Sequence, residues 1–257
     1  MTEQSEILQV ERKGDVEWVT LNRPDSLNAL NQALILQLRT YFEEKYYDDE
    51  TRIIVLRASG RAFCAGLDLN DSTNVSRGVE QGLQGQKNIS DIYKAMRRCP
   101  QPIISLVKGA ACGGGFSLAL ASDIRILGES AKMNAAYLTI GTSGCDMGSS
   151  YFLPRLVGTS LASELLLTGR FIYAEEALQH RLVSKVVPDA DLAKAADEML
   201  TPMLAASKMG LRLTKDALNF SVDASSMEAA MAMEDRQQIL LVLADTEFRE
   251  RGKKFKK

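Results

Sequence analysis

The sequence predicts an α/β fold followed by a helical C-terminal part. Short apolar strands alternate with helical patterns through the first two thirds of the chain. The chain opens on a hairpin signal. From about Met147 onward helical segments follow one another, with a single obvious strand among them. These three observations place an αβ core at 1–188 and a helical region at 189–257.

The elements follow in order. Ile7–Arg12 and Val16–Leu21 alternate in polarity around Lys13-Gly14-Asp15, which predicts a hairpin. Leu30, Leu34, Leu38 and Phe42 then recur at helical spacing. Ile53–Arg57 is a short apolar strand. Asn70 to about Gln86 is polar and contains glycine, so a mobile loop or lid is expected there. Ile89–Arg98 predicts a helix stopped at Cys99-Pro100, and Ile103–Val107 a buried strand. Lys108 to Gly115 reads as a loop of small residues feeding a helix over Gly115–Ala121. Asp123–Leu127 is the next strand, and Lys132–Ile140 includes another. Helices are expected at 147–153, 159–168, 174–180, 190–206, 208–219, 225–244 and 246–256, interrupted by a strand at Val183–Val187. Met227, Ala230, Met231 and Met233 share one helical face, which suits a core or a subunit interface.

Composition narrows the function. The 257 residues carry a net charge of −2, with 46% apolar and 25% charged residues, ordinary for a soluble globular protein. That balance points to neither nucleic acid nor an anionic membrane. The basic stretch from Arg251 to Lys257 reads as solvated or as a contact to phosphates. Cys64, Cys99, Cys112 and Cys145 lack CxxC spacing and read as reduced core thiols. The only histidine, His180, sits at the end of a short helix, so a histidine-based metal site or Ser-His-Asp triad has little support. No cluster of metal ligands appears, and no stretch approaches the ~20 apolar residues of a membrane span. The acidic, polar N-terminus resembles neither a signal nor a transit peptide, so a cytoplasmic location is expected.

Two segments carry candidate chemistry. Gly109 to Ser117 places three glycines, 113–115, directly before an apolar helix. Bare backbone N–H groups at the positive end of a helix suit an anion or a developing oxyanion. A tight turn that needs glycine for packing would read the same way. The spacing matches neither the phosphate loop GxxxxGK[ST] nor GxGxxG. The second segment, Gly60-Arg61-Ala62-Phe63-Cys64-Ala65-Gly66-Leu67-Asp68-Leu69, follows a strand. Its Asp68 could simply be a helix N-cap. The glycines of the two segments lie 48 residues apart (114 − 66), room for one βαβ-type unit.

In this order the two segments resemble the enoyl-CoA hydratase/isomerase (crotonase) family. The resemblance runs along nearly the whole chain. Leu21 to Leu30 looks like the family's N-terminal signature, and Leu153 to Gly158 and Leu167 to Arg170 match its later markers. The resemblance implies a crotonase-like ββα superhelix whose helical C-terminal region builds homotrimers, often dimers of trimers. It implies an acyl-CoA substrate, with coenzyme A entering as part of the thioester and no separate cofactor or metal. By this match, the amides of Leu67 and Gly114 would hold the thioester oxygen as enolate charge develops. Leu27, Ala29, Ala65, Asp68 and Leu69 would border the CoA, and Phe255 and Lys257 are looser matches at the C-terminus.

The sequence departs from the family at one important place. Family hydratases add water with two glutamates. Their positions here are Ser117, two residues after the last glycine, and Tyr137, reached by counting forward from Asp123. A serine is a poor acid or base, and a tyrosine with a pKa near 10 would act as an acid. Asp146 remains. In related dienoyl-CoA isomerases the matching aspartate moves protons; as a bland alternative, Asp146 would cap helix 147–153. Hydration, the family's commonest activity, is the leading expectation. Double-bond isomerisation with Asp146 as the single acid/base follows, and a non-catalytic acyl-CoA binding protein is the third possibility. Arg181 stands where the family usually has glycine at a helix end.

Overall fold

The structure is a computed structural model that describes residues 6–71 and 78–244. Its main sheet has six strands in the order β1-β2-β3-β4-β6-β9. β1 (Leu8–Lys13) and β2 (Val16–Leu21) form the expected antiparallel hairpin. β2 then runs parallel to β3 (Ile53–Ala58), β3 to β4 (Ile103–Val107), β4 to β6 (Ile124–Gly128) and β6 to β9 (Lys185–Val187). Parallel strands buried on both faces read as continuous apolar runs. Accordingly, residues 54 and 56 face one core cluster, while 53 and 55 face another. α7 (Leu192–Ala205) covers the second face through Leu192, Ala195, Ala196 and Leu200.

A smaller sheet, β5-β7-β8, lies across the turns, formed by Ala110–Cys112, Lys132–Asn134 and Ile172–Tyr173. Two isolated parallel bridges, Leu30 to Leu67 and Cys64 to Ala111, continue this second row of strand pairing. Each turn of chain therefore makes a main-sheet strand, a short inner bridge or strand, and a helix. β2, Leu30 and α1 (Gln32–Lys45) make one turn. β3, Cys64 with Leu67, and α2 (Val79–Arg98) make the next. β4, β5 and α3 (Gly114–Ala121) make the third. The repeated βαβ crossover stacks the inner segments side by side, which is what brings residues 30, 67 and 114 together.

After β7 come α4 (Ser149–Val157), α5 (Thr159–Thr168) and α6 (Ala174–Gln179), and after β9 the described chain is helical: α7, α8 (Lys208–Ser221) and α9 (Met227–Ala244). His180 caps α6 at its C-terminus, as expected. Arg181 has φ 60°, the left-handed backbone that glycine usually supplies there. None of the described helices is long and apolar enough to cross a membrane.

Several expectations need correction. α2 begins at Val79, ten residues before Ile89, so residues 79–86 are helical. Glycines 82 and 85 and the exposed Val79 and Leu83 had hidden its first turns, which lack a buried stripe. Only 72–77 of the expected loop lies outside the described residues. The stretch read as a loop of small residues contains β5, and β8 had too few residues to show a pattern. Cys64 and Cys99 are buried, but Cys145 is exposed on a turn and is no core thiol. The apolar face of α9 does not join the protomer core: α9 has no buried residue, and Met227, Met231, Ile239 and Leu240 are exposed. The helix expected at 246–256 lies outside the described residues.

Candidate functional site

The two inner bridges fasten the glycine segments together. Leu30 N–H donates to Gly66 O at 2.7 Å and Asp68 N–H to Leu30 O at 3.0 Å. Cys112 N–H donates to Cys64 O at 2.9 Å, and Cys64 N–H to Ala110 O at 3.1 Å. Two glycines permit the close approach. Gly66 has φ +94°, and a Cβ there would meet Cys112 O at 2.9 Å and Gly114 N at 3.6 Å. A Cβ on Gly115 would fall 2.2 Å from Cys64 O. The peptide entering Leu67 thus lies against the amide of Gly114, the first residue of the wholly buried helix α3. Gly113 N–H is bonded to Asn134 O, but among the described residues the amides of Leu67 and Gly114 donate to nothing. Two neighbouring unspent N–H groups, one at the positive end of a helix, can stabilise an oxyanion.

Beside Gly114 lies a residue the sequence reading passed over. Tyr93 of α2 is buried; its hydroxyl donates to Gly114 O at 3.0 Å and sits 3.1 Å from Met147 Sδ. Burial pushes its pKa well above the usual tyrosine value. In sequence it is indistinguishable from a core residue at helical spacing.

Met147 follows Asp146. The Asp146 carboxylate is half-buried, and its Oδ1 accepts Met147 N–H at 2.6 Å and Gln86 Nε2 of α2 at 2.5 Å. Burial raises its pKa, opposed by those two hydrogen bonds. Asp146 does not cap α4. The N-cap is Gly148, with no side-chain cap, and α4 starts at Ser149. Asp146 also joins that turn through its backbone: Ser149 N–H donates to Asp146 O at 2.9 Å, and Asp146 N–H to Ser149 Oγ at 3.1 Å.

Ser117 and Tyr137, at the two glutamate positions, are spent on each other. Their hydroxyls lie 2.8 Å apart and both residues are buried. Burial is the first cause that raises the Tyr137 pKa, and the nearby Asp146 charge raises it further; hydrogen bonds from Ser117 and Ser149 act the other way. Tyr137 therefore stays neutral, joined through hydroxyls to α3 on one side and to the Asp146 turn on the other.

The residues matched to the CoA path also gather in one place. Ala65 N–H donates to Leu27 O at 3.0 Å, and Leu27 itself is left-handed at φ 51°. Ala29 is buried and Leu69 is 64% exposed. Asp68 is not a helix N-cap, because residues 69–71 after it are not helical: its Oδ2 pairs with Arg23 at 2.9 Å and its Oδ1 accepts Asn70 N–H at 3.1 Å. The N–H groups of Ala65 and Asp68 are thus used within the protein, which leaves carbonyl and side-chain atoms to meet a ligand. Phe255 and Lys257 lie outside the described residues. No group of His, Cys, Asp or Glu able to hold a metal occurs among the described residues.

Asn28 holds this corner together. It is fully buried; its Nδ2 donates to Ser59 O and Ala62 O, both at 2.9 Å, and its Oδ1 accepts Arg23 N–H at 2.8 Å. Its φ of 55° is a conformation that asparagine tolerates better than alanine. Asn28→Ala is expected to cost roughly 3 kcal/mol by stranding those partners, measurable as a lowered midpoint in urea unfolding.

Solved structures share this architecture. A probable enoyl-CoA hydratase/isomerase from Mycobacterium abscessus superposes with TM-score 0.89 at 32% identity, covering 98% of this chain and 96% of that one. A protein from Thermobifida fusca YX in complex with CoA superposes with TM-score 0.83 at 30% identity, covering 92% and 93%. The fold class is thus crotonase-like, with helices at the C-terminus. A profile of the enoyl-CoA hydratase/isomerase family matches residues 11–255. The chain is 37% identical over 242 residues to the probable enoyl-CoA hydratase echA12 of Mycobacterium bovis, 92% of this chain and 85% of that one. It is 34% identical over 236 residues to the 1,2-epoxyphenylacetyl-CoA isomerase of Escherichia coli K12, 91% and 89% respectively. The chain belongs to the enoyl-CoA hydratase/isomerase family, as an acyl-CoA-processing lyase or isomerase.

Proposed function

We propose that the protein moves a double bond within an acyl-CoA thioester, with Asp146 as its one acid/base. The observation that carries this reading is the pairing of Ser117 with Tyr137. At the two positions where water-adding relatives are expected to carry glutamates, the hydroxyls are buried and bonded to each other. One half-buried carboxylate, Asp146, directly precedes Met147, whose sulfur shares the Tyr93 hydroxyl with Gly114 O. Hydration needs one group to activate water and another to protonate carbon. Isomerisation needs a single base that takes a proton and returns it.

In this mechanism the thioester carbonyl oxygen accepts hydrogen bonds from the Leu67 and Gly114 amides. Asp146 removes a proton from the α-carbon of a β,γ-unsaturated acyl chain. The C–H electron pair becomes part of a dienolate whose charge rests on the held oxygen. The protonated Asp146, whose half-buried carboxyl can exchange its proton with solvent, then delivers a proton to the γ-carbon, leaving the α,β-unsaturated thioester. Coenzyme A enters and leaves as part of the substrate. The CoA complex of the Thermobifida fusca relative supports this substrate class, and the exposed apolar residues of α9 fit a homotrimer or a dimer of trimers.

The test is solvent exchange. The protein is incubated with β,γ- and α,β-unsaturated acyl-CoAs in heavy water. Deuterium at the α- and γ-carbons with no hydroxyl product supports the isomerase. A β-hydroxyacyl product would make the protein a hydratase, and tight CoA binding without exchange would make it a binder. Ser117→Ala is expected to keep exchange within about threefold, because a general acid–base role would cost at least ~10²-fold.

A further inference from the structure

We propose that Gln86 is a positioning residue for Asp146, fixing which carboxylate oxygen reacts. The inference rests on the acid/base role proposed for Asp146. Its basis is one face of α2. Gln86 and Tyr93 are seven residues apart, two helical turns, and so share a face. Both reach the same dipeptide: Gln86 Nε2 meets Asp146 Oδ1 at 2.5 Å, and the Tyr93 hydroxyl lies 3.1 Å from Met147 Sδ while donating to Gly114 O. The half of α2 beyond Gln86 is anchored by the buried Ile89, Ile92, Tyr93 and Met96. A single rigid element therefore sets the distance between the oxyanion amide and the carboxylate.

The two donors on Asp146 converge on one oxygen. Met147 N–H and Gln86 Nε2 both bond Oδ1, while Oδ2 accepts no hydrogen bond among the described residues. Oδ1 is therefore the oriented, charge-supported oxygen, and Oδ2 is the one able to exchange a proton with the acyl chain. An amide donor favours the anion, so Gln86 offsets part of what burial does to this carboxylate. The titratable groups around it are Tyr93 from α2, Tyr137 from the turn before Gly141, and the adjacent Cys145. Burial raises both tyrosines, which stay neutral where a carboxylate titrates. No ion pair joins Asp146 to a Lys or Arg among the described residues.

The test is the pH profile of kcat/KM for isomerisation of a β,γ-unsaturated hexenoyl-CoA by the full chain. Removing the donor in Gln86→Ala is expected to move the acidic limb up by roughly one pH unit. It should also lower kcat near that limb with little change in KM. Gln86→Glu sets a second carboxylate against the first and is expected to move the limb further in the same direction. Gln86 is exposed on its helix, so both variants should fold. An unmoved limb in Gln86→Ala, whatever the change in kcat or KM, overturns the inference. Asp146→Asn separates the two claims. If that variant keeps full activity, the acid/base reading has failed. If it is inactive while the Gln86→Ala limb stays put, only the role of Gln86 has failed.

Discussion

Asp146→Asn is expected to lower proton exchange at the acyl α-carbon by roughly 10²–10⁴-fold, the usual worth of a positioned general base, while acyl-CoA binding stays close to that of the parent protein. The substitution keeps the shape of the side chain. Its amide oxygen can still accept Met147 N–H and Gln86 Nε2, as Oδ1 does now. What disappears is the ability to hold a proton. The parent enzyme should lose activity as pH falls through the Asp146 pKa, because only the anion is a base. Burial raises that pKa above the ordinary 3.8, so the limb lies above the range of a solvated aspartate. Stability has the opposite sign. The folded state binds this proton more tightly than the unfolded chain does, so stability falls as pH rises from the unfolded to the folded pKa, and the loss persists above it. Asp146→Asn should therefore be at least as stable as the parent at neutral pH. A thermal unfolding midpoint that falls markedly would show the carboxylate serving the fold instead.

Gly114→Ala should have the second large effect, with kcat lowered by about 10²–10³-fold, as for loss of one oxyanion donor. The added methyl would lie 2.7 Å from Leu30 Cδ1, 3.0 Å from the Tyr93 hydroxyl and 3.1 Å from Met147 Sδ. Leu30 belongs to the bridge that holds Leu67, and Met147 follows Asp146. All three atoms are ends of side chains packed around the amide, so either they or the start of α3 must give, and any movement of α3 displaces the amide relative to Leu67. The N–H group survives, and the expected loss comes from its displacement from the Leu67 amide or from the added methyl crowding the oxygen's place. Gly85→Ala is the matched control. A Cβ there meets nothing within 4 Å, and alanine in an exposed helix stabilises by a few tenths to about 1 kcal/mol. Steady-state kinetics on the two variants would check the contrast; equal losses would mean that glycine loss in general, not crowding at the amide pair, lowers activity.

What the sequence determined by itself is the part written in local pattern. Alternation gave the opening hairpin, and unbroken apolar runs gave strands at Ile53–Arg57 and Ile103–Val107, the first one residue short of the observed β3. The glycines 113–115 marked an anion site or a tight turn at the start of α3, and the family resemblance placed Leu67 beside Gly114 and found Ser117 and Tyr137 where the glutamates belong. Periodicity faded where burial is one-sided or absent, so the first turns of α2 and the exposure of α9 could not be read. Tertiary structure alone decided how hydrogen-bonding capacity is shared out: Asp68 to Arg23, Ser117 to Tyr137, and Gln86 to an aspartate 60 positions away. Those partners meet because successive ββα turns stack. Side-chain type and spacing along one turn carry no record of which atom of the next turn will face it.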